Sequence, residues 1–156
     1  MAVDHIGSLA EAGVTVRPYA GAGDIASVQA VRAEVRRADG DLWLPGPDTG
    51  EEPDGVHPFC LVAQADSGRT VGFTWMDWWS EGADTRVYLL SGCVAPAWRR
   101  RGIGTAMLRW LAEAGVSTAR LSTVAENPNN SVRLYEKAGY RVTARQPRYR
   151  KPVEAC

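Results

Sequence analysis

Between Arg86 and Ala114 the hydrophobic period changes once, and that change demands a strand, a tight loop and a helix in that order. Arg86 to Val94 is a mostly apolar run, the pattern of a strand covered on both faces and therefore central in its sheet. Ile103, Ala106, Met107, Trp110, Leu111 and Ala114 then recur at helical spacing, which predicts a helix with one buried face, ended by Gly115. The joining segment holds Pro96, three arginines at 99–101, and the glycines 102 and 104.

Those glycines let a ligand approach the backbone closely. The first N–H groups of the helix have no carbonyl behind them, and the helix dipole favours an anion there. The loop is therefore shaped for phosphate or pyrophosphate, with a simple tight turn as the bland alternative. Two nucleotide loops are excluded directly. A triphosphate loop requires Lys-Ser/Thr after its last glycine, and Thr105-Ala106 follows here. The dinucleotide fingerprint requires a third glycine where Met107 stands, and its glycines directly after a strand, where Pro96 and the arginines intervene.

The rest of the chain supplies partners for this unit. Val14 to Arg17 reads as a strand stopped by Pro18. Asp24 is placed to cap a helix running to about Arg37, with Ile25, Val28, Val31 and Val35 on one stripe. Residues 39–58 form a long Gly-, Pro- and Asp-rich loop. Phe59–Ala63 and Thr70–Trp79 read as a hairpin around Asp66-Ser67-Gly68. After the central strand and its helix come a strand at Ala119–Val124, a short helix capped by Asn130 or Ser131 and ended by Gly139, and a last strand from Tyr140 to Tyr149. That order predicts a single α/β (α+β) domain over 1–156, with 1–13 as a candidate flexible N-terminus.

The loop and a second block together resemble the GNAT superfamily of acetyl-CoA-dependent N-acetyltransferases. The first block is Val94-x-Pro96 followed by Arg99-x-x-Gly102-x-Gly104. The second runs from Asn127 through Leu134-Tyr135 to Gly139-Tyr140. The resemblance covers residues 86–150 by motif and the N-terminal half by order of elements. It implies a mixed, mostly antiparallel sheet with flanking helices, splayed between the strand before the phosphate loop and the next strand. It also implies acetyl-CoA as acyl donor and no metal.

Residue by residue, the resemblance assigns Arg100, Arg101, Gly102, Ile103, Gly104 and Thr105 to the CoA pyrophosphate, with Arg99 opening and orienting the loop. Cys93 and Val94 would bond the pantetheine arm as an added strand does. Asn127, Asn129 and Asn130 are candidates for a polar contact near the thioester. Asn127 to Tyr135 is eight residues, one more than the usual pattern. Tyr135 matches the general acid. Its phenol and a leaving thiol have reference pKa values of roughly 10 and 8.5, so it can protonate or hydrogen-bond the thiolate with little penalty. The alternative for Tyr135 is a core tyrosine on a short helix.

An alkyl amine must lose a proton before it attacks. Many family members place a Glu on the central strand as base, but Tyr88 to Val94 holds no carboxylate. Glu126 is the first candidate base, Asp77 the second, Glu81 a third, and a water chain without a dedicated base the alternative. Asp39, Asp41, Asp48, Glu51, Glu52 and Asp54 would concentrate a cationic amine, or would simply be a solvated loop. Trp43, Trp75, Trp78 and Trp79 divide between packing and a pocket wall. The expected reaction is direct acetyl transfer to a primary amine, a cationic small molecule. Acetylation of a protein N-terminus or lysine, and a non-catalytic CoA-binding regulatory domain, stand as alternatives.

Composition narrows the class further. The formal net charge is zero, which argues against nucleic acid and anionic membranes as partners. The zero is divided: residues 1–90 hold 6 basic and 14 acidic side chains, and residues 91–156 hold 12 and 4. The cofactor half is basic and the other half acidic. Cys60, Cys93 and Cys156, with His5 and His57, make no metal spacing and read as reduced thiols. No apolar run nears the roughly 18 residues of a membrane span, and residues 1–13 lack the basic start of a signal peptide, so the expected location is the cytoplasm. Oligomeric state stays open, with Trp98 and Cys156 as candidate contacts of a homodimer.

Overall fold

Val14 and Val16 are buried and Thr15 between them is exposed, the alternation that makes residues Val14–Pro18 a strand, β1, with one face on the core. The computed structural model describes residues 9, 13–40, 46–47, 60–80, 86–113, 119–120, 131–143 and 145. Among them the order continues with helix α1 (Ala22–Asp39), strands β2 (Leu61–Ala65), β3 (Thr70–Ser80) and β4 (Arg86–Val94), a 3-10 turn at Pro96–Trp98, helix α2 (Ile103–Glu113), strand β5 (Ala119–Arg120) and helix α3 (Ser131–Lys137).

The strands lie in chain order, β1-β2-β3-β4-β5. The first four are antiparallel neighbours, and β5 joins β4 in parallel. This is the expected mixed sheet, with β4 inside it. Helix α1 packs on β3 and β4, and α2 packs on β2, β3 and β4. The expected stripe of α1 is buried at Val28, Val31 and Val35, and α2 buries Ile103, Met107, Leu108 and Leu111. Each such side chain contributes roughly 1.5–3 kcal/mol relative to an exposed position. Strands β3 and β4 leave no room for a side chain at Gly92, where an added Cβ would run into the Phe73 carbonyl oxygen.

The boundaries correct several expectations. Asp24 does not cap α1. Gly21 holds the N-cap position at φ 83° without a side-chain cap. Asp24 sits in the first turn, where it accepts Arg17 Nη1 at 2.7 Å, Arg17 Nη2 at 2.6 Å and the Ala20 N–H at 2.8 Å. The hydrogen-bonded Arg17 holds the Asp24 carboxyl below the usual carboxylate range. Helix α1 also runs past Arg37 to Asp39, where Gly40 at φ 91° turns the chain and donates its N–H to Arg36 O at 2.9 Å.

Strand β2 begins at Leu61, two residues later than expected, where it pairs with Pro18, the last residue of β1, and it ends in the turn in which Gly68 N–H bonds Ala65 O. Residues 140–143 form no strand, and Gly115, Phe59 and residues 146–149 lie outside the described residues. Among the described residues no helix is long and apolar enough to cross a membrane.

Candidate functional site

The phase of the β3–β4 ladder decides which backbone groups are free. Ala95 N–H bonds Val71 O at 2.8 Å, so in an antiparallel ladder the bonded pairs are 71/95, 73/93 and 75/91. The backbone of Cys93 therefore faces β3, while that of Gly92 and Val94 faces the other edge. On that edge β5 pairs only with Tyr88 and Leu89 among the described residues, although β4 runs on to Val94. The N–H and C=O groups of Gly92 and Val94 are turned to that edge, and residues 121–124, on which the expected splay depends, lie outside the described residues. Cys93 belongs to the wall of the groove, but the ladder gives its backbone no bond to offer an arm lying there.

Pro96, whose fixed φ suits the first residue of a helical turn, starts the 3-10 turn after β4. Trp98 N–H bonds Ala95 O at 2.8 Å to close it. Arg100 then adopts the left-handed conformation at φ 64°, rare for a side chain of its size, and Gly102 follows at φ 83°. The α2 ladder begins when Ala106 N–H bonds Gly102 O at 2.9 Å. The N–H groups of Ile103, Gly104 and Thr105 precede that first bond and point out of the helix start. A Cβ at Gly102 would meet nothing within 4 Å, so the loop's outer face is open to a ligand. These features fit a pyrophosphate.

The three arginines divide in role. Arg99 donates Nε to Val94 O at 3.1 Å, Nη1 to Asp39 Oδ1 at 3.0 Å and Nη2 to Asp39 Oδ2 at 2.6 Å. Its guanidinium is thus held between the end of β4 and the end of α1. Arg100 is exposed and lines the groove. Arg101 turns away, with its guanidinium carbon 4.6 Å from the Trp98 ring centroid and Nη2 donating to Ala97 O at 3.1 Å.

The groove encloses about 510 Å³ and runs from the end of β4, past the loop, to α3. Tyr135 lines it, with Leu134 beside it. Its ring meets Tyr140 edge-on, with centroids 6.2 Å apart and planes at 69°, and Tyr140 N–H bonds Tyr135 O at 3.0 Å. Burial, and secondarily the neighbouring Tyr140, push the Tyr135 phenol above its ordinary pKa, so it carries its proton at neutral pH. Burial pushes the Cys93 thiol up to about 12.

Arg133 and Lys137, four apart on one face of α3, also line the groove. Their spacing in the sequence was the available signal for them. Asp77 stands on β3 opposite Leu89. Glu126, Asn127, Asn129 and Asn130, together with Glu81, Trp43, Cys156 and the acidic residues 41, 48, 51, 52 and 54, lie outside the described residues. Trp75 is a core residue, 7% exposed and edge-on to Tyr19 at 5.5 Å, and so is removed from the pocket-wall candidates. Asp39 leaves the acidic loop altogether: it ends α1 and pairs with Arg99.

Residues 57–142 match the acetyltransferase (GNAT) domain family. No curated protein sequence matches the chain significantly. Solved structures share the fold. A GCN5-related N-acetyltransferase from Kribbella flavida superposes with TM-score 0.65 at 24% identity, covering 88% of both chains. A putative acetyl transferase from Pyrococcus furiosus does so at 0.59 and 21%, covering 90% of this chain and 99% of its own. The aminoglycoside acetyltransferase AAC(6')-Iy, in complex with the bisubstrate analogue CoA-S-monomethyl-acetylneamine, gives 0.55 at 24% identity, with the same coverage of 90% and 99%.

Proposed function

The chain belongs to the GNAT acetyltransferase family, and from that premise we propose that it transfers an acetyl group from acetyl-CoA to the primary amine of a cationic small molecule. The observation that carries this reading is the run of outward N–H groups from Ile103 to Thr105, entered through the left-handed Arg100 and Gly102 and opening into the same groove as Tyr135.

The residues fit acetyl-CoA as follows. The backbone of Arg100 to Thr105 holds the pyrophosphate, helped by the α2 dipole and by Arg100. Arg133 and Lys137 add positive charge along the wall. The pantetheine arm lies along the open edge of β4. There Gly92 N–H and C=O and Val94 N–H are its partners, since Val94 O already accepts Arg99 Nε. Asn127, or Asn129 or Asn130, supplies a polar contact near the thioester. Bound acetyl-CoA supplies an activated acyl group and a thiolate leaving group.

Tyr135 donates its proton, or a hydrogen bond, to the departing sulfur. Its raised pKa keeps that proton available throughout the range in which an amine becomes nucleophilic. Cys93 takes no covalent part, because a thiol pushed up to about 12 is almost wholly protonated at neutral pH. That supports direct attack by the amine in a ternary complex. Glu126 is the first choice for accepting the amine proton and Asp77 the second. The acidic balance of residues 1–90 supports a cationic acceptor. So does the fold shared with the aminoglycoside N-acetyltransferase AAC(6')-Iy, solved with the bisubstrate analogue CoA-S-monomethyl-acetylneamine.

The test is release of free thiol from acetyl-CoA across a panel of cationic, neutral and acidic amines plus a basic peptide. The proposal expects turnover of cationic small amines with a KM that rises with salt. Equal turnover of neutral and acidic amines contradicts the electrostatic part. Exclusive turnover of the peptide replaces the acceptor class, and no turnover with any amine removes the catalytic assignment.

A further inference from the structure

An acidic side chain beside an anion-binding loop opposes the ligand, yet Asp39 lines the groove next to Arg99. It is also the last residue of α1, where the helix carbonyls already make the surroundings negative. Both placements are unfavourable for an isolated carboxylate, and the pairing geometry accounts for them. The two Asp39 oxygens take Nη1 and Nη2 of Arg99 at 3.0 and 2.6 Å, with Asp39 10% and Arg99 21% exposed. Such a fork fixes the plane of the guanidinium as well as its position. Held in that plane, Arg99 reaches Val94 O with Nε at 3.1 Å. One side chain thus joins the end of α1, the end of β4 and the start of the loop. The next residue, Arg100, enters the left-handed conformation, so the position of Arg99 sets where the loop's N–H groups aim.

We propose that Asp39 is a positioning residue for the cofactor loop, acting through Arg99 and without touching the cofactor. The proposal rests on the acetyl-CoA reading above.

Two effects of removing this carboxylate have opposite signs. By charge alone, Asp39→Asn would tighten an anion in the groove, because a repulsive neighbour is lost. By positioning, Asp39→Asn loosens it, because the guanidinium loses its charged fork. The experiment is calorimetric titration of wild type, Asp39→Asn and Asp39→Glu with CoA, alongside steady-state kinetics with acetyl-CoA and thermal unfolding of each protein. The expected result is a Kd for CoA raised about tenfold or more in Asp39→Asn, the size of a lost charge-assisted hydrogen bond. KM for acetyl-CoA rises in parallel, kcat changes less, and Asp39→Glu recovers part of the affinity. A folded Asp39→Asn that binds CoA as tightly as wild type, or more tightly, overturns the proposal. If Asp39→Asn fails to fold, Arg99→Lys, which keeps the charge and loses the fork, must show the same weakening, and unchanged binding there overturns it too. Wild type that does not bind CoA overturns both the cofactor reading and this inference, whereas wild type that binds while the variants match it overturns this one alone.

Discussion

Gly104 and Leu134 touch across the groove: a methyl group on the Gly104 Cα would stand 3.2 Å from Leu134 Cδ2. The first turn of α2, which presents the loop's N–H groups, therefore seats α3 directly, and Tyr135 is the next residue along. The absence of a side chain at the second loop glycine leaves room for the Leu134 methyl groups against the start of α2. Gly104→Val places a branched side chain where Leu134 sits and moves α3 outward. The expected result is a kcat/KM lower by about tenfold or more, since small displacements of a catalytic group cost that much, with Tm altered by only a few degrees. A fully active Gly104→Val enzyme contradicts the coupling.

Tyr135→Phe removes the proton donor and keeps the ring packed on Tyr140. A fall in kcat of about 100-fold or more, with KM for acetyl-CoA little changed, is the expected outcome. The pH profile carries a second check. Burial raises the phenol pKa, so the protonated, active form persists beyond pH of about 10, and the wild-type rate shows no falling limb from this group below that pH. Rate measurements from neutral to alkaline pH with an amine of known pKa test both.

Cys93 lines the groove yet is held as a neutral thiol, its pKa pushed up to about 12. Iodoacetamide at neutral pH is expected to leave Cys93 unmodified in the folded protein, as read by peptide mass. Incubation with acetyl-CoA alone is expected to leave no acetyl adduct on it. A stable acetyl-Cys93 species would replace direct transfer by a two-step route.

Asp24 makes an acid-side prediction. Its carboxyl is held below the ordinary range by Arg17, so the folded state binds a proton there less readily than the unfolded chain. The stability from this pair is complete above the unfolded carboxylate pKa of about 3.9 and is lost as pH falls through the lower folded value. Asp24→Asn is therefore expected to be less stable than wild type at neutral pH, with the gap closing at strongly acidic pH. Denaturant midpoints across that range measure it. A gap independent of pH rules out the ion pair as its cause.

The strand-loop-helix unit was legible because period and punctuation agree there: an apolar run, Pro96, two glycines and a helical stripe all point one way. The stripes of α1 and α2 were legible for the same reason. Asp24 misled because a capping residue and a first-turn acid look alike in sequence, and only the meeting with Arg17, seven positions back, tells them apart. Asp39 was illegible for a deeper reason. It reads as one of a run of loop acids, and its partner lies 60 positions away, joined by folding and not by spacing. The ladder phase that turns the backbone groups of Gly92 and Val94, and not those of Cys93, toward the free edge of β4 is likewise a property of register between two strands.

The central claim is that the loop from Arg100 to Thr105 makes this chain an acetyl-CoA binder, and thermal unfolding with and without acetyl-CoA tests it most directly. At a ligand concentration 100 times its Kd, binding to the folded state adds about 2.7 kcal/mol. For a chain of 156 residues that corresponds to a Tm higher by roughly 5–10 °C. The account predicts that rise with acetyl-CoA and CoA, reduced at high salt. A Tm unmoved by millimolar acetyl-CoA would contradict it.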